Sequence, residues 1–130
     1  MLGKTYRLQV ENNSGVAITV TIKTQRFKFG SDGAMVLEAA ATSLCTDLAV
    51  ASGAGSVSAC STVDNGTDLY FGGDFEISVT AATTPNGAVT VRLQRSVDGG
   101  ATWPDDKSGE HVAGFNLTVS GTRRKTGRVE

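Results

Sequence analysis

Between Val16 and Phe29, aliphatic β-branched residues alternate with small or polar ones: Val16, Ile18, Val20 and Ile22 against Ala17, Thr19, Thr21 and Lys23. Successive side chains of a strand point to opposite faces, so this period of two specifies a strand with one buried face. Upstream, Tyr6, Leu8 and Val10 alternate with Arg7, Gln9 and Glu11, and Asn12-Asn13-Ser14-Gly15 supplies turn residues between the two runs. The two segments are predicted to pair as a hairpin.

The same pattern returns later. Phe75, Ile77 and Val79 alternate with Glu76, Ser78 and Thr80, and Val89, Val91 and Leu93 with Thr90, Arg92 and Gln94. Asn86-Gly87 lies between them, a pair that accepts the positive φ angles of a type I′ turn, so a second hairpin is predicted. A third strand begins near His111, which makes residues 74–119 read as a three-stranded meander. From Gly33 to Ser52 the signal divides. Leu37, Ala41, Leu44 and Leu48 fall at helical spacing, yet Thr42, Ser43, Cys45, Thr46, Val50 and Ser52 are poor helix formers. Short strands and loops are preferred there, with one short helix within 34–51 as the alternative. Val57–Val63 and Thr67–Phe71 read as further short strands around the turn at Asp64-Asn65-Gly66.

A chain of 130 residues can bury one core. Its 39% hydrophobic and 19% charged content leaves much Gly, Ala, Ser and Thr, which suits turns and pleated strands. The expected architecture is all-β, an antiparallel β-sandwich or jelly-roll-like domain over 1–130, ending in a basic tail at about 121–130. No run approaches the roughly 20 apolar residues of a membrane-spanning helix. The first ten residues, MLGKTYRLQV, lack the apolar core of a secretory signal, so synthesis in the cytoplasm is expected. Cys45 and Cys60 are accordingly expected as free thiols, with a disulfide left open should their strands align.

The net charge of −1 hides a segregation. Residues 1–28 carry five Lys or Arg against one acid, and residues 29–91 carry seven acids with no Lys or Arg. The last 39 residues carry seven basic and five acidic side chains, four of the basic ones being Arg123, Arg124, Lys125 and Arg128. Free monomers usually interleave both signs over their surface. A long low-charge segment is what an assembly interface requires, because interface cores are depleted in charge. The four tail cations suit phosphate contacts, but the rest of the chain is acidic and offers no aromatic stacking platform, which argues against nucleic acid.

Chemistry-bearing constellations are sparse. His111 is the single histidine, so a multi-histidine metal site is excluded. Asp64-Asn65-Gly66-Thr67-Asp68 lacks the closing Glu of a calcium loop. No glycine-rich phosphate loop with Lys and no nucleophile elbow is present. Neither catalysis nor a cofactor is expected.

The segment Ser96-Val97-Asp98-Gly99-Gly100-Ala101-Thr102-Trp103 resembles the Asp-box, a hairpin motif that recurs in sialidases and other β-propellers. Its logic is local: Ser96 and Asp98 can accept hydrogen bonds from turn amides, Gly99 and Gly100 supply backbone angles closed to other residues, and Thr102 and Trp103 close the turn. One box, without the arginines and nucleophilic tyrosine of a sialidase, does not carry that activity. A broader resemblance covers about half the chain. VTVRLQRS running into DGGATWP, preceded by DNGTDLYFGGDFEISVTA and by YRLQVENNSGVAITVTIKTQRFKF, is similar to small virion proteins of tailed bacteriophages. That resemblance implies a structural subunit in many copies, without a cofactor. The expected role is a capsid decoration protein that contacts the major capsid protein or other virion proteins and forms a homo-oligomer. A neck or tail component is the alternative within the same class. Tyr6, on an N-terminal strand edge, and the tail residues Arg123, Arg124, Lys125 and Arg128 are the expected contacts. A glycan-binding module using Trp103, Tyr70 or Phe71 is the alternative from another class.

Overall fold

The computed structural model describes residues 1–130 as ten antiparallel strands in two facing sheets, without a helix. They are β1 (Thr5–Asn12), β2 (Ile18–Phe29), β3 (Met35–Leu37), β4 (Thr42–Val50), β5 (Ser56–Ala59), β6 (Val63–Asp64), β7 (Gly72–Ala81), β8 (Gly87–Ser96), β9 (Glu110–Leu117) and β10 (Gly121–Val129). Sheet A runs β5-β1-β8-β9, with β6 also on β1. Sheet B runs β10-β7-β2-β3, with β4 also on β2. The alternation read from the sequence decides which side chains enter between the sheets. Tyr6, Leu8, Val10, Val89, Val91 and Leu93 come from sheet A and Ile18, Val20, Ile22, Phe75, Ile77 and Val79 from sheet B, all buried in one continuous core.

The β-sandwich therefore stands, and the segment 34–51 forms β3 and β4 with no helix. The pairing of the strands differs from the hairpins expected. β1 pairs with β8 and β2 with β7, so Asn12-Asn13-Ser14-Gly15 and Asn86-Gly87 are crossovers between sheets. Alternation marks a buried face without saying which sheet owns it, and an Asn-Gly pair suits an arch as well as a hairpin. The two crossovers clasp each other: Asn13 N donates to Ala88 O at 2.8 Å and Asn86 N to Ser14 O at 2.9 Å. Gly87, at φ +151°, lies so close to the Asn13 carbonyl that any Cβ there would collide with it. Buried Asn12 holds the same corner, donating from Nδ2 to Val16 O at 2.7 Å and Ala51 O at 3.0 Å.

Three further expectations are corrected. The meander over 74–119 is cut at Asn86-Gly87, because β7 lies in sheet B while β8 and β9 pair in sheet A. Thr67–Phe71 is a turn and an irregular stretch; its shape is set by Asn65, whose side chain bonds Tyr70 N, Tyr70 O and Gly3 O at 2.8, 2.8 and 2.9 Å. Cys45 and Cys60 are not free. They form a disulfide that ties β4 of sheet B to the chain just after β5 of sheet A, because the strands that carry them lie side by side where the two sheets meet.

Candidate interaction surface

The two outer faces of the sandwich differ. Residues 97–109, between β8 and β9, fold back over the outer face of sheet A. Asp106 Oδ1 accepts from Gln9 Nε2 at 3.0 Å, Lys107 N donates to Gln9 Oε1 at 2.8 Å, and Gln94, fully buried, donates to Asp105 O and Ser108 O at 3.2 Å. Within this loop the motif closes as a turn. Gly100 N donates to Ser96 Oγ at 2.8 Å, Ser96 Oγ lies 2.7 Å from Asp98 Oδ1, and Asp98 accepts from Thr102 N at 2.9 Å and Thr102 Oγ1 at 2.5 Å. The hydrogen bonds from Thr102 and Ser96 lower the Asp98 pKa to about 2. Gly99 and Gly100 take φ of +73° and +95°. Trp103 is half-buried, with the Arg7 guanidinium 4.4 Å from its ring centroid.

A glycan-stacking role needs an open ring. One face of Trp103 is occupied by Arg7, and Tyr70 lies beneath Arg26 at 4.5 Å and Lys28 at 5.3 Å. Phe71 is open, but it belongs to the aromatic cluster described below.

The outer face of sheet B carries no covering loop. Its rows follow from the register: Thr19, Thr80 and Thr122; Thr21, Ser78 and Arg124; Lys23, Glu76 and Thr126; Gln25, Asp74 and Arg128. Arg128 pairs with Asp74 at 2.7 Å, which raises its pKa. Beyond the last row the face turns aromatic. Phe27, Phe29 and Phe71 have ring centroids 5.6–6.3 Å apart, Arg128 lies 5.4 Å over Phe27, and β3 adds Leu37 opposite Phe27 and Met35 opposite Phe29. Phe27 is buried within the cluster, whereas Phe29, Met35, Leu37 and Phe71 are exposed.

The expected contact residues are distributed unevenly over this surface. Tyr6 is wholly buried on β1, an interior strand of sheet A flanked by β8 and by β5 and β6, so it offers no edge and no contact. Its place beside Leu8 and Val10 in the alternation already assigns it to the core. The basic segment is no loose tail, because it forms β10, the edge strand of sheet B. Arg124 and Arg128 stand on the outer face. Arg123 and Lys125 share a side with Val79 and Ile77, their register partners, and so point toward the space between the sheets. Lys125 Nζ donates to Gly114 O at 2.7 Å and lies 5.5 Å from the Phe115 ring.

Sequence reasoning missed Phe29, Met35 and Leu37. A signal was present: Phe27 and Phe29 fall in phase with Thr19, Thr21 and Lys23, the solvent phase of β2. An apolar residue there has no core to enter. Elsewhere, no group of three or more His, Cys, Asp or Glu residues is placed to hold a metal ion, and His111 is exposed at the start of β9.

Comparison with family models, with curated proteins and with solved structures finds no match to this chain.

Proposed function

We propose that the protein is a structural subunit of a tailed-phage virion, a decoration protein that binds the shell through the outer face of sheet B. The observation that carries this reading is the contrast between the two faces. One is covered by its own loop, whereas the other is bare and ends in exposed Phe29, Met35, Leu37 and Phe71. Apolar clusters of this kind on a soluble surface mark contact sites. The partner is the major capsid protein or a neighbouring virion protein. Arg124 and Arg128 supply the polar rim, and repetition over a lattice turns modest single contacts into stable attachment. The resemblance of the Ser96–Trp103 segment and the strands around it to small phage virion proteins supports the same reading. No cofactor takes part.

Reconstitution tests it. Purified particles lacking the protein are mixed with the parent chain or with an Arg124→Glu, Phe29→Ser variant, and bound copies are counted by quantitative gel. Parental occupancy in the hundreds and a loss of about tenfold or more in the variant are expected, since an interface centre loses that much for each 1.4 kcal/mol removed. Equal binding by both chains would reject this face. A parental count of six or twelve would move the subunit to the neck or tail.

A further inference from the structure

We propose that β3 is a pairing edge for a second copy of this chain, joining two B sheets into one continuous sheet across a twofold axis at Val36. This rests on the reading that the outer face of sheet B meets protein, and it names the occupant at one end of that face.

The backbone of β3 is hydrogen-bonded on one side only. Gly30 N donates to Ala34 O at 2.8 Å and Glu38 N to Arg26 O at 2.7 Å. Between these pairs Val36 stands opposite Lys28. In an antiparallel ladder hydrogen-bonded pairs alternate, so Val36 turns its amide and carbonyl toward β2 while Met35 and Leu37 turn theirs to the open side. A second β3 running antiparallel, centred on Val36, sets Met35 opposite the partner's Leu37 and Leu37 opposite the partner's Met35. All four outward donors and all four outward acceptors are then used. The register also sets Ala34 against the partner's Glu38, so no like charges meet.

Met35, Val36 and Leu37 on β3 itself are 52%, 44% and 51% exposed. At roughly 200 Å² for a fully exposed residue of this size, they present about 300 Å² per copy. Two copies bring together about 600 Å² at the seam, the low end for a transient contact, so a dimer forms only at high concentration.

The edges at β10 and β5 are guarded. β10 directs Arg123 and Lys125 inward, a placement that discourages strand addition. β5 lies against β4, tied by Ser58 Oγ donating to Ala49 O at 2.9 Å and by the disulfide. β3 carries Met35, Val36 and Leu37, all exposed, with no charge and no cover.

Sedimentation equilibrium of the isolated protein tests this, with Leu37→Pro removing an outward amide that β2 does not use and Met35→Lys placing a charge at the seam. Both changes are at exposed positions, and an unchanged melting curve verifies the fold. The parent is expected as a dimer at about 100 µM, with both variants raising the dissociation constant tenfold or more. Val36→Cys is expected to give a covalent dimer with glutathione disulfide, because facing residues of a non-hydrogen-bonded pair lie about 4.5 Å apart between Cα atoms. A monomeric parent at this concentration overturns the pairing, as does a dimer indifferent to both substitutions. Particle occupancy is measured separately, so a monomer that still coats particles rejects this inference alone, and a dimer that does not coat them rejects the virion role alone.

Discussion

Arg26 and Glu38 meet at two points, Nη2 to Oε1 at 2.6 Å and Nε to Oε2 at 3.1 Å, at the end of the sandwich where β3 leaves toward β4. The Arg26 amide adds a third contact to Oε2 at 3.0 Å, and Thr42 Oγ1 donates to Oε1 at 2.5 Å. Both side chains are 11% exposed. One carboxylate thus pins the backbone of β2, the start of β4 and the segment that connects them. Removing a buried partner strands the other charge. Glu38→Gln is expected to destabilise the fold by about 2–3 kcal/mol, measured as a lower urea midpoint at pH 7.

The same pair sets a pH dependence. Burial pushes the Glu38 carboxyl up, but the hydrogen bonds from Arg26 and Thr42 outweigh it and the net shift is downward from 4.5. A folded-state value below the unfolded one means that this stabilisation is complete above pH 4.5 and is lost as pH falls through the lower folded value. The gap between parent and Glu38→Gln midpoints should therefore narrow as the pH is taken from 7 toward 3. A gap that stays constant would show that the carboxylate's charge contributes nothing.

Tyr6 makes a contrasting case beside the same guanidinium. Its hydroxyl is wholly buried and makes no hydrogen bond of ordinary geometry, although the Arg26 guanidinium lies close by; burial raises its pKa, and the charge and N–H groups of Arg26 pull against that. An unsatisfied buried hydroxyl costs about 1–3 kcal/mol. Tyr6→Phe should therefore leave the urea midpoint unchanged or raise it, whereas a clear drop would mean that the hydroxyl is paired.

The disulfide between Cys45 and Cys60 closes a span of 15 residues. Restricting the unfolded chain over such a loop is worth about 3 kcal/mol. Cys45→Ser with Cys60→Ser should lose stability by that amount in urea unfolding, and the parent's intact mass under denaturing conditions should gain two hydrogen atoms, about 2 Da, only after reduction.

For the loop over sheet A, the expectation concerns Asp98. Its carboxyl carbon, followed by NMR, should titrate with a midpoint of about 2. The turn's contribution is then present above the ordinary carboxylate range and fades as pH falls through that low value. Asp98→Ala should raise the exposure of Trp103 to acrylamide quenching, since Thr102 loses both its bonds to the carboxylate.

Much of this fold was legible as alternation. The long runs of period two became strands with their Val, Ile and Leu members turned to the core, because the pleat sends alternate side chains to opposite faces. What stayed illegible was partnership. β1 with β2, and β7 with β8, look like hairpins because adjacent runs and turn residues are the ordinary local signature, yet the decisive contact is between two distant crossovers at Asn13 and Gly87. β10 was hidden for another reason. Its inward positions hold Arg123, Lys125 and Gly127 before Val129, so it lacks the apolar face that marks a strand. The candidate surface was half visible: the basic residues attract notice by charge, and Phe29 falls in the solvent phase of Thr19 and Thr21, whereas Met35 and Leu37 join it only through the pairing of β3 with β2. The turn at Ser96–Trp103 was the most legible part, because its bonds lie within seven residues of one another.

The loop that lies over sheet A also gives the molecule a right way up. A tile glazed on one side can be laid only with the other side down, and copies set side by side through β3 would share that orientation. A pair built this way would have two distinct surfaces without any further device, and a peptide inserted in the segment 97–109 would be displayed on the same side of both copies.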